Sequence, residues 1–251
     1  MAYEDPYAHL VARHYDAIYA VLRGGSRDVA FYRELARESG GPVLELGCGT
    51  GRILLAIASD GIACVGVDAS RAMLDALRGK QPPPHVELFE AAMESLDLGA
   101  RRFPLVTIPF RAFSHLLDAE AQLAALANVR RHLTSDGRLA LDVFDPRLDR
   151  TALVEEPEAL AVRAKTPRGE VARYDRVTRD HARQVLTLHT RFVADAPEDS
   201  GEGVIQLRWF YRYELEHLLA RAGFAIEAIY GGFDRRAWAP GGETIVVARV
   251  R

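Results

Sequence analysis

One stretch near residue 45 constrains the fold and the ligand of this chain more than any other. The apolar segment 43–46 runs directly into the turn Gly47-Cys48-Gly49-Thr50-Gly51, and a helical pattern begins two residues later. Glycine takes positive φ without penalty and lets backbone N–H groups approach a ligand closely. The N-terminus of the following helix also favours a carboxylate or a phosphate. This strand, turn and helix therefore predict a site for a nucleotide-like ligand.

The dinucleotide fingerprint G-x-G-x-x-G is the main alternative for such a turn. Its third glycine permits close helix packing beside a pyrophosphate. Arg52 occupies that position here, and Gly51 comes one residue early. Glu45, just before the turn, does not suit a pyrophosphate but would suit a cation such as an amino group. An NAD-dependent oxidoreductase is disfavoured by these features and stays open as an alternative.

The segment E-L-G-C-G-T-G-R resembles the first motif of class I S-adenosylmethionine (SAM)-dependent methyltransferases. The resemblance implies SAM as the cofactor. It places Gly47, Cys48 and Gly49 along the methionine part of SAM, and it places Glu45 toward the amino group. The further residues assigned to the cofactor site are Tyr19, Arg52, Asp68, Ala69, Met73, Ala92, Met93 and Ile108.

Asp68 is the candidate for the ribose of the cofactor. It stands at the end of the apolar segment 63–68, which reads as a strand buried on both faces of a sheet. In folds of this kind, a carboxylate about 20 residues after the glycine turn accepts the ribose hydroxyls of an adenosine. A helix cap for the segment starting at Ser70 is the alternative role. The glycine turn favours the ribose role.

The third predicted strand covers residues 86–90, and the segment that follows it departs from the family pattern. Related enzymes often carry Gly-Asp-Met there, with the acid on the adenine amino group and the Met on the ring. This chain has Ala92 in the place of the acid and keeps Met93. Adenine recognition is therefore expected from backbone amides, from Glu94 or from packing by Met93.

The order of the predicted elements indicates an α/β fold. Strands and helices alternate from residue 43 to residue 144, as in right-handed βαβ units. Four later segments instead alternate apolar and polar residues, which predicts an antiparallel meander. They are 158–165, 170–179, 183–194 and 203–209. We predict a Rossmann-like, seven-stranded methyltransferase sheet with this meander added. The meander matches best the small-molecule methyltransferases that include nucleotide-sugar N,N-dimethyltransferases.

Four regions follow from this order of elements. Residues 1–42 are predicted to form a helical lid or cap, and residues 43–150 the SAM-binding core. Residues 151–210 are the antiparallel insertion, on the substrate side or in a homodimer. Residues 211–251 complete the core sheet with a helix and two strands.

The N-terminal helical pattern over 7–22 carries an aromatic stripe. Tyr15 to Tyr19 match a Tyr-Asp-x-x-Tyr segment that often covers the bound cofactor in related methyltransferases. A stripe that simply faces the core is the alternative.

Three residues are candidates for the catalytic group. His115 follows the fourth predicted strand and titrates in the range that suits proton transfer from an amine. A structural histidine at a helix start is an equal alternative. Tyr15 and Tyr211 are the other candidates. The nearby Ile108-Pro109-Phe110 lacks the polar residue and second proline common in enzymes that methylate nucleobase amines, which argues against such acceptors.

Four arginines fall near the predicted mouth of the site, and guanidinium forks suit a carboxylate or a phosphate. They are Arg111, Arg147, Arg208 and Arg212. An anionic small-molecule acceptor is expected, such as a nucleotide-sugar or an amino acid. The predicted function is in-line transfer of a methyl group to an amine nitrogen of that acceptor. O- or C-methylation and a non-catalytic SAM-binding protein remain alternatives.

Composition limits the remaining classes of function. The net charge is −3 and no basic run reaches five residues, which argues against a nucleic-acid surface. Two cysteines suggest a reducing cytoplasm rather than a disulfide framework. No basic cap with an apolar run opens the chain, and no apolar stretch reaches 18 residues, so neither a signal peptide nor a membrane span is expected. No His/Cys cluster has metal-ligand spacing, and no metal is expected.

Overall fold

A computed structural model describes residues 10–23 and 25–251 of the chain. The helices are α1 (Leu10–Arg23), α2 (Arg27–Ser39), α3 (Arg52–Ala58), α4 (Arg71–Gly79), α5 (Ala119–His132), α6 (Leu148–Thr151) and α7 (Arg212–Arg221). The core strands are β1 (Val43–Leu46), β2 (Cys64–Asp68), β3 (Val86–Glu90), β4 (Phe103–Ile108), β5 (Leu133–Phe144), β10 (Phe224–Tyr230) and β11 (Glu243–Val250). The remaining strands are β6 (Glu155–Thr166), β7 (Gly169–Asp180), β8 (Val185–Ala194) and β9 (Gly201–Arg208).

The core is one seven-stranded sheet in the order β10-β11-β5-β4-β1-β2-β3. The strands from β1 to β5 pair in parallel, while β11 and β10 are antiparallel. The order in which strands are added to the sheet reverses at β1, which has β2 on one side and β4 on the other. Such a switch point opens a crevice at the carboxyl ends of the strands. The predicted α/β fold with a seven-stranded sheet is confirmed.

Both faces of the core sheet are covered by helices, which explains the nearly continuous apolar strands. Alternate residues of β1 enter two different clusters. Leu44 and Leu46 pack with residues of α5 and α7, whereas Val43 packs with residues of α2, α3 and α4. Because side chains alternate across a strand, burial on both faces requires apolar residues at nearly every position.

The predicted meander is a separate four-stranded antiparallel sheet in the order β6-β7-β8-β9. One of its faces packs against α1, where Val11 and Ile18 meet Val162, Val171 and Phe192. Helix α1 therefore lies against the meander, and it also contacts α4 of the core.

Polar contacts fasten both sides of α1. On the meander side, Arg13 pairs with Asp199, and His14 Nε2 lies 2.8 Å from the backbone oxygen of the same Asp199. On the core side, Asp16 accepts a hydrogen bond from the Thr50 hydroxyl at 2.6 Å and forms an ion pair with Lys80, also at 2.6 Å. Thr50 belongs to the glycine turn, so α1 is tied to that turn as well as to the meander.

The structure differs from the sequence prediction at several boundaries. Residues 7–9 of the predicted first helix lie outside the described residues. Strand β5 begins at Leu133, although the sequence Ser135-Asp136-Gly137 is typical of a turn and predicts that the strand starts only at Arg138. The register between β4 and β5 shifts there, because Phe103 pairs with Leu133 and Leu105 with Arg138. The pairing of Phe103 extends the strand past the predicted turn. No described helix is long and apolar enough to cross a membrane.

Candidate active site

A cavity of about 360 Å³ lies at the carboxyl ends of β1, β2, β3 and β4. Its floor is the glycine turn and the segments that follow these strands, and its roof is α1 together with three strands of the meander. The meander residues in the wall are Arg173 of β7, Leu188 of β8, and Ile205 and Leu207 of β9. The two sheets and α1 therefore enclose one space.

Most of the predicted site residues line this cavity. They are Tyr15, Tyr19, Glu45, Gly47, Cys48, Gly49, Arg52, Asp68, Ala69, Met73, Ala92, Met93, Arg111 and His115. Ile108 does not: it is fully buried in the core at the end of β4. Pro109 and Phe110, one and two residues later, face the cavity in its place.

The glycine turn is held by β2 and packs against the segment after β4. The N–H groups of Gly47 and Cys48 donate to the carbonyl oxygen of Val67 at 2.8 and 3.0 Å. A Cβ on Gly47 would stand 2.5 Å from the Cβ of Ala112, so this position tolerates no side chain. Gly49 has free space around it but a φ of 54°, in the left-handed region that favours glycine.

Asp68 joins the second strand to the glycine turn. Its Oδ2 accepts the N–H of Gly49 at 2.7 Å, and its Oδ1 accepts the N–H of Ser70 at 2.8 Å. The N-cap of α4 is Ser70, whose hydroxyl accepts from the N–H of Met73. The alternative role of Asp68 as the cap of this helix is therefore wrong. The ribose role stays a prediction.

Glu45 is a buried carboxylate in the cavity wall. The residue is 1 % exposed, and its Oε2 has no hydrogen-bond partner among the described residues. Burial raises the pKa of Glu45 to about 8, against the opposing field of Arg52. The guanidinium of Arg52 is itself bonded to both oxygens of Asp28, at 3.0 and 2.6 Å. A cation brought beside Glu45 would stabilise the charged carboxylate.

The other end of the cavity is aromatic. The rings of Tyr15 and Tyr19 lie 4.4 Å apart, and the Tyr19 ring meets Phe110 edge-on at 5.1 Å. Asn128, on α5, donates to the carbonyl oxygen of Met93 at 3.1 Å and thereby fixes the segment that carries Ala92.

Arg173 is a cavity residue that the sequence reasoning missed. It is 4 % exposed and donates from Nε to Asp175 at 2.7 Å and from Nη1 to the Tyr19 hydroxyl at 3.2 Å. Its neighbour Val171, two residues earlier, is fully buried, so Arg173 occupies an inward position of β7. The sequence does contain a sign of this role, because Arg173 stands at a position of the strand where apolar residues alternate inward and Asp175 follows two residues later.

His115 ends a single 3₁₀ turn, Ala112–His115, and lines the cavity. Burial lowers its pKa to about 4, so the imidazole is neutral at neutral pH. The lowered pKa takes His115 out of the titration range for which it was chosen from the sequence, so in the free protein the imidazole is a weak base.

The histidine makes stability depend on pH. An exposed imidazole in the unfolded chain has a pKa near 6.5, so between about pH 6.5 and 4 the unfolded chain binds the proton more readily. The contribution of His115 is present above that window and is lost as pH falls through it, by as much as about 3 kcal/mol. We expect the difference in free energy of unfolding between wild type and His115→Gln, measured in urea, to carry this loss, because the other titrating groups, Glu45 among them, are common to both proteins. His217→Gln, at an exposed position of α7, should retain the loss; equal profiles for the two variants would contradict the assignment.

A second cavity of about 630 Å³ adjoins the first. The two share Tyr19, Leu22, Phe110 and Arg111 in their walls. The charged residues around the second cavity are Arg27, Asp28, Arg111, Asp234, Arg236 and Glu243. Arg111 pairs with Glu243 at 2.9 Å and Arg236 with Asp234 at 3.5 Å, whereas Arg27 makes no ion pair with any residue that the structure describes.

Besides Ile108, four predicted site residues lie outside both cavities. Tyr211 is the N-cap of α7 and is 41 % exposed, and the structure does not bring it to His115. Arg208 and Arg212 pair with Glu214 and Glu216 at 2.7 Å, and Arg147 pairs with Asp149. These three arginines pair with nearby carboxylates and line neither cavity. Of the four predicted arginines, only Arg111 reaches the site.

No group of three or more His, Cys, Asp and Glu side chains in the described part of the chain is arranged to hold a metal ion. Cys48 and Cys64 are buried and free, and burial raises the pKa of each thiol. Neither is a reactive thiolate at neutral pH.

Comparison with known proteins agrees with this geometry. Residues 43–137 match the family model of the methyltransferase domain. Cypemycin N-terminal methyltransferase from Streptomyces sp is 35% identical over 144 residues, which are 57% of this chain and 58% of that relative. The match thus spans little more than half the length of that curated relative.

Two solved structures cover the chain more completely. The CcbJ methyltransferase from Streptomyces caelestis superposes with a TM-score of 0.76 at 25% identity, covering 92% of this chain and 98% of that one. SAM-bound CalS10, an amino pentose methyltransferase from Micromonospora echinaspora, gives a TM-score of 0.71 at 25% identity, covering 99% and 100%. Residues 43–137 are therefore a methyltransferase domain, and the whole chain has the fold of the small-molecule SAM-dependent methyltransferases.

Proposed function

We propose that this protein transfers the methyl group of SAM to an amine nitrogen of a small molecule. One observation carries the proposal: a single cavity joins the glycine turn, Glu45 and Asp68 at one end to Tyr15, Tyr19 and His115 at the other. The names of two relatives, an amino pentose methyltransferase and an N-terminal methyltransferase, support an amine as the acceptor.

The residues at the first end fit SAM. The buried Oε2 of Glu45 lacks a partner among the described residues, as expected of a group that binds the amino group of the cofactor. The glycine turn presents bare backbone, and Asp68 beside it would bind the ribose hydroxyls. Ala92 and Met93 would line the adenine. When bound, SAM supplies a methyl group that is already activated by its positive sulfur.

The residues at the second end would hold the acceptor. Transfer of this kind depends mainly on positioning, which supplies up to about 7–11 kcal/mol of a barrier. The rings of Tyr15, Tyr19 and Phe110 form one aromatic wall against which the acceptor would pack. The guanidinium groups of Arg173 and Arg52 already lie over the Tyr19 and Phe110 rings, at 5.8 and 5.3 Å. The neutral imidazole of His115 lines this end of the cavity and would accept a hydrogen bond from the N–H of the amine, which would orient the nitrogen.

We infer further that the acceptor carries an anionic group. Arg173 in the first cavity, and Arg27 and Arg111 in the second, are the cations that such a group would reach. Arg27 supports this inference most directly, because it makes no ion pair within the described residues. Guanidinium groups suit a carboxylate or a phosphate.

The N-terminal helix and the meander are assigned to substrate binding. Helix α1 contributes Tyr15 and Tyr19 to the roof of the cavity, which supports its role as a lid. The meander contributes three strands to the same roof, which supports a substrate-side role. A homodimer remains a prediction, which light scattering on the purified protein checks.

Incubation with isotopically labelled SAM and a panel of amines, amino acids and phenols tests the function. We expect label in amines, most of all in those with a carboxylate or a phosphate. Label only in phenols would indicate O-methylation, and SAM binding without any labelled product would indicate a non-catalytic SAM-binding protein. Tyr19→Phe should slow transfer, while Tyr213→Phe, at a position 69% exposed, serves as the matched control.

A further inference from the structure

The turn after β4 has an unusual backbone. Phe110 and Arg111 both lie in the left-handed region, with φ of 57° and 62°. Residues with a Cβ seldom adopt this conformation, and two in succession are rarer still. Both residues line both cavities, so the turn is the wall between them.

A buried carboxylate holds this turn from behind. Asp142, on β5, is fully buried, and its Oδ1 accepts the N–H of Phe110 at 2.8 Å. The same oxygen accepts the hydroxyl of Tyr32 at 2.6 Å. Tyr32 belongs to α2 and is also fully buried. Because one oxygen accepts from both Phe110 and Tyr32, the side chain of Asp142 links the turn to α2.

This backbone conformation also sets the positions of the Phe110 and Arg111 side chains. The Phe110 ring meets Tyr19 edge-on at 5.1 Å and Tyr15 at 6.3 Å. The guanidinium of Arg111 pairs with Glu243 at 2.9 Å and lies 5.1 Å from the centre of the Phe144 ring. A relaxed turn would move the aromatic wall of the first cavity and the cation of the second together.

We propose that Asp142, supported by Tyr32, is a positioning residue for the acceptor. It lines neither cavity and acts by keeping Phe110 and Arg111 in the left-handed conformation that shapes both. The inference rests on the proposed methyl transfer for its kinetic test. The cofactor end of the site touches the segment after β4 at Ala112, but its hydrogen bonds run to Val67 and Asp68 of β2, so it should depend on Asp142 much less than the acceptor end.

Asp142→Val removes the shared acceptor oxygen, and Tyr32→Phe removes one of its two donors. For Asp142→Val we expect kcat/KM for the acceptor to fall about 100-fold, the size of effect that follows a displacement of about 1 Å at an active site. SAM affinity by calorimetry should stay within about threefold of wild type. Tyr32→Phe should show a smaller loss of acceptor kcat/KM, again without a comparable loss of SAM affinity. This variant tests the proposal if Asp142→Val does not fold. Asp142→Asn keeps an acceptor oxygen and should restore most of the activity.

Val143→Ala is the matched control, because it alters the neighbouring buried residue of β5 without touching the turn. It should lower the melting temperature and leave the ratio of acceptor kcat/KM to SAM affinity unchanged. Equal losses of SAM affinity and acceptor kcat/KM in Asp142→Val, or no loss at all, would overturn the proposal. Crystal structures with bound SAM give a second readout: residues 110–111 should leave the positive-φ region in Asp142→Val, and an unchanged turn would also overturn it. The conformation of residues 110–111 tests the role of Asp142 even if the wild-type protein methylates no acceptor. Absence of methylation would refute only the proposed function.

Discussion

Asp68→Ala is expected to weaken SAM binding at least about 100-fold. The carboxylate of Asp68 lies in the cavity wall and also accepts the N–H of Gly49 at 2.7 Å. Its loss removes the proposed partner of the ribose hydroxyls and releases the glycine turn that would hold the methionine part. Hydrogen bonds to a charged group contribute about 1.5–3 kcal/mol each, and two such bonds correspond to a factor of about 100 or more.

Isothermal calorimetry on the purified protein measures this effect. Asp75→Ala is the matched control, because Asp75 lies on the neighbouring helix α4, where it pairs with Arg78 at the surface. It should bind SAM as wild type does. Equal affinity in wild type and Asp68→Ala would refute the ribose assignment. Thermal unfolding of both variants separates loss of the site from loss of the fold.

Glu45→Gln is expected to weaken SAM binding about tenfold or more and to change its proton balance. The pKa of Glu45 in the free protein is about 8, so at pH 7 the carboxyl group is mostly protonated. A cationic amino group beside it would stabilise the carboxylate and draw the proton off. Binding to wild type should therefore release close to one proton more than binding to the glutamine variant.

The sign of the effect on stability follows from the same raised pKa. An unfolded glutamate has a pKa of 4.5, so between that value and about 8 the free folded protein holds a proton that the unfolded chain has lost. The contribution of Glu45 to the free energy of unfolding is therefore fully present below pH 4.5 and is lost as pH rises through about 8.

Calorimetry in two buffers with different ionisation enthalpies counts the protons. Glu87→Gln is the control, because Glu87 is an exposed residue of β3 that pairs with Arg101. Its proton balance should match that of wild type. Identical proton counts for wild type and Glu45→Gln would show that Glu45 does not meet the amino group of SAM.

The core of the fold was predictable because its signals are local. A strand buried on both faces needs an apolar run such as 63–68, and a turn that approaches a ligand needs glycines such as Gly47 and Gly49. These requirements act over a few residues, so the sequence alone reveals them. The meander was predictable for the same reason, since one face of each strand is apolar and the other polar.

The acceptor side of the site was harder to predict because it is assembled from distant segments. Arg208 and Arg212 seemed as suitable as Arg111, but only Arg111 lines the cavities, a placement that depends on the fold. Arg173 comes to Tyr19 from 154 positions away along the chain. Pairings over such distances depend on how the meander packs on α1, and local patterns carry no record of that packing.

The separation of the two sheets has a consequence for how enzymes of this architecture diversify. The four meander strands share no ladder hydrogen bonds with the seven-stranded sheet, yet Leu188, Ile205 and Leu207 form part of the cavity roof. Exchanging these side chains therefore reshapes the cavity roof without breaking any ladder of the core sheet, although Ile205 also packs against α1. A library randomised at these sites would explore new acceptors while retaining the same methyl donor, so the insertion acts as an evolvable module.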